Sequence, residues 1–224
     1  MGKIKTWLLV LCLICGWSCG SGQSLLSYEQ PELPATEKAR EELTELALSQ
    51  VGVRELTGNN DGKQVERYLR SVGLKKGQPW CAAFMAWLHN ERGIPNPESA
   101  WSPDWFRSNV VYDRFDKNQV DFTARKGQVF GLYFTSKKRI AHVGMIVGQT
   151  PQHYETVEGN TSLLGYVDLS LLTDEQKERE RESIWVAHKI RNRRDIAKVS
   201  DFVGGDEIRK GWKLKGYKSK LTLR

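Results

Sequence analysis

The sequence predicts an α+β domain in which helices come first and an antiparallel β-sheet follows. Two features of the pattern support this fold class. Apolar residues recur at helical spacing as far as about residue 93, and short β-rich runs separated by turns take over from about residue 128. Helices and strands that are segregated along the chain in this way are typical of the α+β class. The 224 residues, 39% of them hydrophobic, suffice for one domain with terminal extensions.

Residues 1–20 have the pattern of a signal peptide. A basic start precedes an apolar run from Trp7 to Trp17 that is too short to span a bilayer comfortably. Two cleavage sites remain open. Small residues at Ser18 and Gly20 suit ordinary signal peptidase, whereas Cys19 is placed to become the lipid-bearing first residue of a bacterial lipoprotein. We therefore expect an exported protein of the periplasm or cell envelope, with a lipid anchor to the membrane at Cys19 under the second interpretation.

A linker with two prolines, residues 21–36, leads into a domain predicted over residues 37–191. Three helical segments open this domain, because apolar residues recur on one face of each segment and glycines interrupt them. These helices are predicted at Glu37–Val51, at Lys63–Ser71 and from Pro79 to Gly93.

Four strands are predicted in the second half of the domain, where β-rich runs lie between turn residues. They are Gln128–Phe134, Ile140–Gly148, Tyr154–Glu158 and Ser183–Arg191. Residues 94–123 are rich in proline and aromatic side chains, and we expect them to form a surface loop near the third helix. Residues 174–182 are a charged run, which predicts an exposed insertion between strands.

The net charge of +7 is concentrated at the C-terminal end of the chain. Residues 189–224 contain twelve Lys or Arg against four Asp or Glu, so the rest of the chain is nearly neutral. The charge is therefore no indication of a nucleic-acid partner for the domain. Residues 192–224 are predicted to be a basic extension, and two interpretations of it stay open: a segment that binds an anionic polymer or headgroup, and a solvated tail.

Cys81 is the candidate nucleophile. The chain has four cysteines, and three of them, Cys12, Cys15 and Cys19, lie within or beside the signal segment. The mature chain thus keeps a single free thiol and cannot form an intramolecular disulfide. Cys81 falls at the start of the third predicted helix, where unpaired backbone N–H groups and the helix dipole stabilise a thiolate. A thiolate is the form of cysteine that attacks a carbonyl carbon.

His142 is the candidate base among the four histidines. His89 is excluded as a partner of Cys81, because it lies further along the same helix at a distance of about 12 Å. His142 begins an apolar strand, and its position at the end of the sheet is one where the start of a facing helix can present Cys81.

The hairpin that follows His142 supplies a third group. With the turn at Gly148–His153, residue numbers that pair across the hairpin add up to about 300. His142 then faces the neighbourhood of Glu158, and Asn160 lies one step further on the same side of the strand. Either side chain can hold the tautomer and orientation of the imidazole. Both stay open, because a small slip of the register exchanges them.

These segments resemble the CHAP domain, a family of cysteine- and histidine-dependent amidohydrolases and peptidases. The matching residues are Pro79-Trp80-Cys81-Ala82-Ala83-Phe84 with Trp87, His142-Val143-Gly144 with Ile146 and Gly148, and Glu158-Gly159-Asn160. A lead-in over residues 47–55 and 59–62 resembles the segment that precedes the catalytic helix in one branch of the family. The resemblance covers residues 41–191.

The resemblance implies a papain-like fold, with helices packed on an antiparallel sheet, and hydrolysis of amide bonds in peptidoglycan. It implies that Cys81 is the nucleophile and that His142 is the general base and then the general acid. Glu158 or Asn160 is implied as the group that orients His142. We therefore expect an exported cysteine peptidoglycan hydrolase, either an N-acetylmuramoyl-L-alanine amidase or an endopeptidase of the stem peptide or crosslink. The alternatives are a wall-binding module without catalysis and a lytic accessory of a secretion or conjugation apparatus.

Three further expectations concern the surroundings of the thiol. The backbone N–H of Cys81 is an expected donor to the oxyanion, and papain-like enzymes often add a side-chain amide, for which Gln50 and Gln78 are both candidates. No metal or other cofactor is expected, because the sequence has no dense acidic loop. Tryptophan side chains either line a groove for a sugar-peptide substrate or pack in the core; these are Trp80, Trp101 and Trp105.

Overall fold

The computed structural model describes residues 35–119, 122–162, 173 and 184–203. These residues form three α-helices and one six-stranded sheet in which every pair of neighbouring strands is antiparallel. The α+β prediction is thereby confirmed. The predicted signal peptide, the charged insertion at 174–182 and the tail from residue 204 lie outside the described residues. None of the helices in the described part of the chain has the length and apolar character needed to cross a bilayer.

The three helices lie close to their predicted positions. They are α1 (Ala35–Ser49), α2 (Lys63–Arg70) and α3 (Cys81–Glu91). Helix α3 is buried from Cys81 to His89, as expected of a helix that is apolar on nearly all sides. It ends where Gly93 adopts a left-handed conformation, with φ of 62°, and where the Ile94 N–H donates to the carbonyl of His89. Helix α3 is thus the central element of the helical layer.

The sheet has the strand order β1-β6-β2-β3-β4-β5. Its strands are β1 (Val110–Asp113), β2 (Val129–Phe134), β3 (Arg139–Gln149), β4 (His153–Thr161), β5 (Trp185–Asn192) and β6 (Lys198–Ser200). Helix α3 packs against β3 and β4, which pair with each other as a hairpin. This packing brings the first turn of α3 against one face of the sheet.

Two strands of the sheet were not expected from the sequence. Strand β1 lies within residues 94–123, where a loop was predicted, and β6 lies within the predicted extension at 192–224. Both strands have four residues or fewer, too short for alternation to distinguish them from loop. Because β6 pairs with β1 on one side and β2 on the other, the sheet continues beyond the predicted boundary at residue 191.

A buried ion pair joins the end of the sheet to the first helix. The Arg40 guanidinium in α1 donates through Nη2 to Oδ2 of Asp201 at 2.7 Å, and both side chains are less than 10% exposed. The amide of Gln128 donates to the same carboxylate oxygen at 2.9 Å. Burial raises the pKa of Asp201, but the bonds from Arg40 and Gln128 outweigh burial and lower it. Residues just after β6 therefore belong to the folded core.

Two glycines allow side chains to approach the sheet closely. A Cβ atom at Gly144 would lie 2.7 Å from Cγ of Glu158, and one at Gly159 would lie 2.6 Å from Cζ3 of Trp80 and 2.8 Å from Cδ1 of Phe84. These separations are shorter than any ordinary carbon–carbon contact, so no larger residue fits without displacement. Gly144 thus makes room for the side chain of Glu158, and Gly159 makes room for the rings of Trp80 and Phe84.

Candidate active site

Cys81 is the first residue of α3, and its thiol is free. The side chain is almost buried, with 6% of the residue exposed. The hydroxyl oxygen of Ser102 lies 3.7 Å from Sγ, and the backbone N–H of Val143 also hydrogen-bonds the sulfur. The first helical hydrogen bond of α3 runs from the Phe84 N–H to the carbonyl of Trp80, which leaves the N–H groups of the first turn without a helical partner. The hydrogen bonds and the free N–H groups favour a negative sulfur, whereas burial opposes it.

His142 connects the thiol to the sheet. Its Nε2 atom lies 2.8 Å from Oε2 of Glu158, and the ring also hydrogen-bonds Cys81. Because Nε2 is bound to Glu158, Nδ1 is the ring atom that remains for the thiol. The structure thus places Cys81, His142 and Glu158 in one continuous chain of hydrogen bonds that links helix α3, strand β3 and strand β4.

The carboxylate of Glu158 is fully buried and surrounded by donors. Besides His142, it accepts from the hydroxyl of Thr156 at 2.7 Å and from Arg191, whose Nε and Nη2 atoms bind the two oxygens at 2.7 and 2.6 Å. Burial raises the pKa of Glu158, but the hydrogen bonds from Arg191 and His142 outweigh burial and lower it strongly. Glu158 is therefore ionised, as a group that stabilises an imidazolium must be.

Asn160 has a different place from the one predicted for it. Its Nδ2 atom donates to Oδ1 of Asn60 at 2.9 Å and to Oε1 of Glu55 at 3.3 Å, rather than to His142. Asn160 also has a φ of 56°, in the left-handed region, so β4 is not regularly extended there. Of the two candidate orienting groups, the structure brings Glu158 to His142 and leaves Asn160 outside the chain.

The register of the hairpin accounts for this outcome. Met145 faces Val157, an offset of two residues from the pairing assumed from the turn alone. In that register Asn160 would lie directly opposite His142, and Glu158 is the diagonal neighbour on the same face. A diagonal neighbour is within reach of a long side chain. Because β4 bends at Asn160, the shorter amide does not bind His142, and the longer side chain of Glu158 binds the ring instead.

A second buried carboxylate positions the residue before Cys81. Glu55 accepts a hydrogen bond from the indole Nε1 of Trp80 at 2.8 Å and another from the backbone N–H of Asn60 at 2.8 Å. Together with the bond from Asn160, these contacts tie the lead-in loop, the start of α3 and the end of β4 to the side chain of Glu55. Glu55 lies in a segment already noted for its family resemblance, but no role for it was predicted.

The other predicted neighbours of the thiol fall into two groups. Gln50 is occupied elsewhere, because its Oε1 accepts from the hydroxyl of Tyr68 at 2.8 Å, and Gln78 is exposed. Neither is among the hydrogen-bond partners of Cys81. Trp80 and Trp105 are completely buried and belong to the core, whereas Trp101 is 48% exposed. The described residues contain no group of three or more His, Cys, Asp or Glu suited to hold a metal ion.

Three contributors to the site were missed from the sequence: Ser102, Thr156 and Arg191. Ser102 begins a short 3₁₀ helix within a segment predicted as loop, and Arg191 reaches Glu158 from β5. Thr156 and Glu158 are two residues apart on one strand, so their side chains lie on the same face. This could be inferred from the sequence once Glu158 was singled out. No comparable local signal existed for Ser102 or Arg191, because their contacts depend on how distant segments pack.

Cys81 and His142 shift one another's protonation. Burial raises the pKa of the Cys81 thiol, but the hydrogen bond with His142, aided by Ser102 and the backbone of Val143, lowers it below its ordinary value. Burial lowers the pKa of His142, but hydrogen bonds with Cys81 and Glu158 outweigh burial and raise it to about 9. The thiolate–imidazolium pair therefore forms at pH values below the ordinary pKa of a thiol. It persists up to about pH 9, where His142 loses its proton.

Alkylation of Cys81 by iodoacetamide provides a direct test of this ion pair. An ordinary thiol, with a pKa of 9.0, reacts about tenfold more slowly for each pH unit below that value. We expect Cys81 to keep reacting at those lower pH values, because its pKa is lowered. Glu158→Gln removes the charge that stabilises the imidazolium, and we expect it to lower the rate at pH 6 by about tenfold. The measurement is mass spectrometry of the peptide that contains Cys81.

Glu155→Gln is the matched control for this experiment. Glu155 lies on the same strand, but its side chain is 40% exposed and faces His188. We expect its alkylation profile to match that of the unmodified protein. A thiol that titrates near its ordinary value, or equal effects of the two substitutions, would contradict the ion pair.

No protein-family model matches the sequence, and neither does any curated protein. Among solved structures, the fold is similar to NlpC1 from Trichomonas vaginalis, with a TM-score of 0.41 and 14% sequence identity. The match covers 77% of this chain and 46% of NlpC1, so this chain spans about half the length of that protein. A likeness this distant identifies neither the family nor the activity of the chain.

Proposed function

We propose that this chain is a cysteine hydrolase that cleaves amide bonds of peptidoglycan. The observation that carries the proposal is the hydrogen-bonded chain from Cys81 through His142 to Glu158, which begins at a helix N-terminus and ends on an ionised, buried carboxylate. A nucleophile, a base and an orienting group in this order are the requirements of covalent acyl transfer.

The reaction proceeds in two stages. The thiolate of Cys81 attacks the carbonyl carbon of the scissile amide, and His142 gives its proton to the leaving nitrogen as the carbon–nitrogen bond breaks. The product amine departs and leaves a thioester on Cys81. A water molecule then attacks the thioester while His142 accepts one of its protons. The carboxylic acid leaves, and Cys81 returns to the thiolate beside the protonated His142.

Two parts of the site stabilise charge during these steps. The N–H groups of the first turn of α3 have no helical partners, and the N–H of Cys81 itself is placed to donate to the oxyanion of the tetrahedral intermediate. Glu158 stabilises the positive imidazolium, and Arg191 keeps Glu158 ionised. Arg191 acts through Glu158 and is therefore a positioning residue rather than a catalytic one.

The choice of peptidoglycan as substrate rests on the sequence. The segments around Cys81, His142 and Glu158 resemble the CHAP domain, and the first 20 residues have the pattern of an export signal. An exported amide hydrolase of bacterial origin meets the peptides of the wall. We propose the periplasm or cell envelope as its location, with the lipid anchor at Cys19 as one form of the mature chain.

Digestion of purified peptidoglycan by the mature protein and by Cys81→Ala tests the function. We expect new amine termini only with the unmodified protein, and mass spectrometry of the fragments identifies the bond that is cut. A free lactyl group would indicate an amidase, whereas new termini within stem peptides or crosslinks would indicate an endopeptidase.

The alternatives give different results in the same assay. If neither protein releases fragments but both sediment with the wall, the chain is a binding module without catalysis. Deletion of residues 208–224 separates the third alternative, a lytic accessory of a secretion or conjugation apparatus, because loss of localisation with retained hydrolysis would assign docking to the tail. Equal release by Cys81→Ala would overturn the proposed mechanism.

A further inference from the structure

A stacked Trp–Arg pair lies on two segments that also supply neighbours of the thiol, and the proposed chemistry does not use it. The guanidinium carbon of Arg139 lies 3.9 Å from the ring centroid of Trp101. Two other Arg–Trp pairs in the described chain, Arg67 on Trp87 and Arg54 on Trp185, have separations of 5.4 and 5.5 Å. The pair at Trp101 is thus in much closer contact, as expected of a guanidinium held flat on an indole ring.

Both residues of the pair lie close in sequence to residues of the candidate site. Trp101 directly precedes Ser102, whose hydroxyl is 3.7 Å from the sulfur of Cys81. Arg139 lies on β3, three residues before His142, which corresponds to about 10 Å along a strand. The same two segments that supply contacts to the thiol therefore supply the stacked pair.

The guanidinium retains most of its hydrogen-bonding capacity. Its Nη1 atom donates to the backbone carbonyl of Ile140 at 2.9 Å, and no carboxylate of the described residues forms an ion pair with it. Arg67, by comparison, is paired with Glu91 at 2.9 Å. Trp101 is 48% exposed although large aromatic side chains usually gain from burial. An arginine fixed on an open indole, with its remaining donors free, is suited to bind a planar anion.

We propose that Trp101 and Arg139 form a subsite for a carboxylate of the substrate near the amide that is cleaved. The indole holds the guanidinium in place, so little side-chain freedom is lost when the carboxylate binds. This inference rests on the proposed function and adds a substrate class to it: wall peptides with a free carboxylate near the scissile bond. Peptidoglycan stem peptides carry such groups, and amidation of them removes the charge.

The test uses pairs of soluble peptidoglycan fragments. The two members of a pair differ at one position, where one has a free carboxylate and the other its carboxamide. Each carboxylate of the fragment is amidated in turn to give a separate pair. We expect one pair for which the mature protein has about tenfold higher kcat/KM on the free acid, the size of a charge-assisted contact. In Arg139→Met this ratio is expected to fall to about one. Arg67→Met removes another stacked arginine and is expected to keep the tenfold ratio.

Binding measurements separate this inference from the proposed function. Calorimetry with Cys81→Ala, alone and combined with Arg139→Met, measures binding of the same fragments without turnover. If the unmodified protein cleaves nothing but Cys81→Ala prefers the free acid through Arg139, the subsite stands and the proposed hydrolysis fails. If acids and amides are cleaved and bound equally, the subsite fails and the hydrolysis stands. Arg139→Lys keeps the charge without the planar fork, and an unchanged preference in either Arg139 variant would overturn the subsite.

Discussion

Replacing His142 by alanine is expected to lower kcat/KM for wall-peptide hydrolysis by about a thousandfold. Two effects add up in this variant. No group remains to give a proton to the leaving nitrogen, and burial of Cys81 is no longer opposed by the imidazolium, so the pKa of the thiol rises. The fold should persist, because Glu158 keeps its two hydrogen bonds from Arg191. Steady-state kinetics and alkylation of Cys81 measure the two effects separately.

His153→Ala is the control for this substitution. His153 is the first residue of β4, at the turn end of the same hairpin and away from the thiol. We expect both rates to remain near those of the unmodified protein. Hydrolysis within tenfold of the original in His142→Ala, or an equal loss in His153→Ala, would remove His142 from the mechanism.

Replacing Asp201 by alanine is expected to lower the free energy of unfolding by about 3–5 kcal/mol. The substitution leaves the guanidinium of Arg40 charged and buried, with 2% of the side chain exposed, and removes its carboxylate partner. The pKa of Asp201 is lowered in the folded protein, so its contribution to stability is present above the ordinary carboxyl value and is lost as the pH falls through the folded value. Urea unfolding near neutral and acidic pH measures the loss.

Asp113→Ala is the matched control, because Asp113 also forms an ion pair with the sixth strand. Its partner, Lys198, lies at 2.6 Å, but the two side chains are 26% and 27% exposed. Partly solvated pairs contribute little, and we expect a loss of about 1 kcal/mol or less. Equal losses in the two variants would show that burial of the Arg40 pair is energetically unimportant.

The elements that were predictable from the sequence are those with a long regular pattern. Helices α1 to α3 and strands β2 to β5 each repeat an apolar spacing over several residues, and all seven occur near their predicted positions. Strands β1 and β6 do not repeat a spacing long enough to recognise. Their conformation depends on pairing with each other and, for β6, with β2, which is information from distant parts of the chain.

The site was predictable to the extent that it depends on local rules. A thiol at a helix start and a histidine near the start of a strand are both local features, and the structure brings Cys81 and His142 together. The choice between Glu158 and Asn160 depended on the register of one hairpin and on the left-handed backbone at Asn160, which neither spacing nor composition indicates. Arg191, a donor to Glu158, was missed for the same reason, since it lies 33 residues away along the chain.

The position of β6 in the sheet also affects the order in which the domain can fold. A newly made chain emerges with its N-terminus first, so the three helices and most of the sheet are available before residues 198–200. The first strand nevertheless has its ladder partner in β6, and Arg40 finds its counter-charge only at Asp201. Contacts between such distant segments make folding slow and keep it incomplete until the last strand arrives. A domain built in this way completes its fold only after nearly all of it has been synthesised.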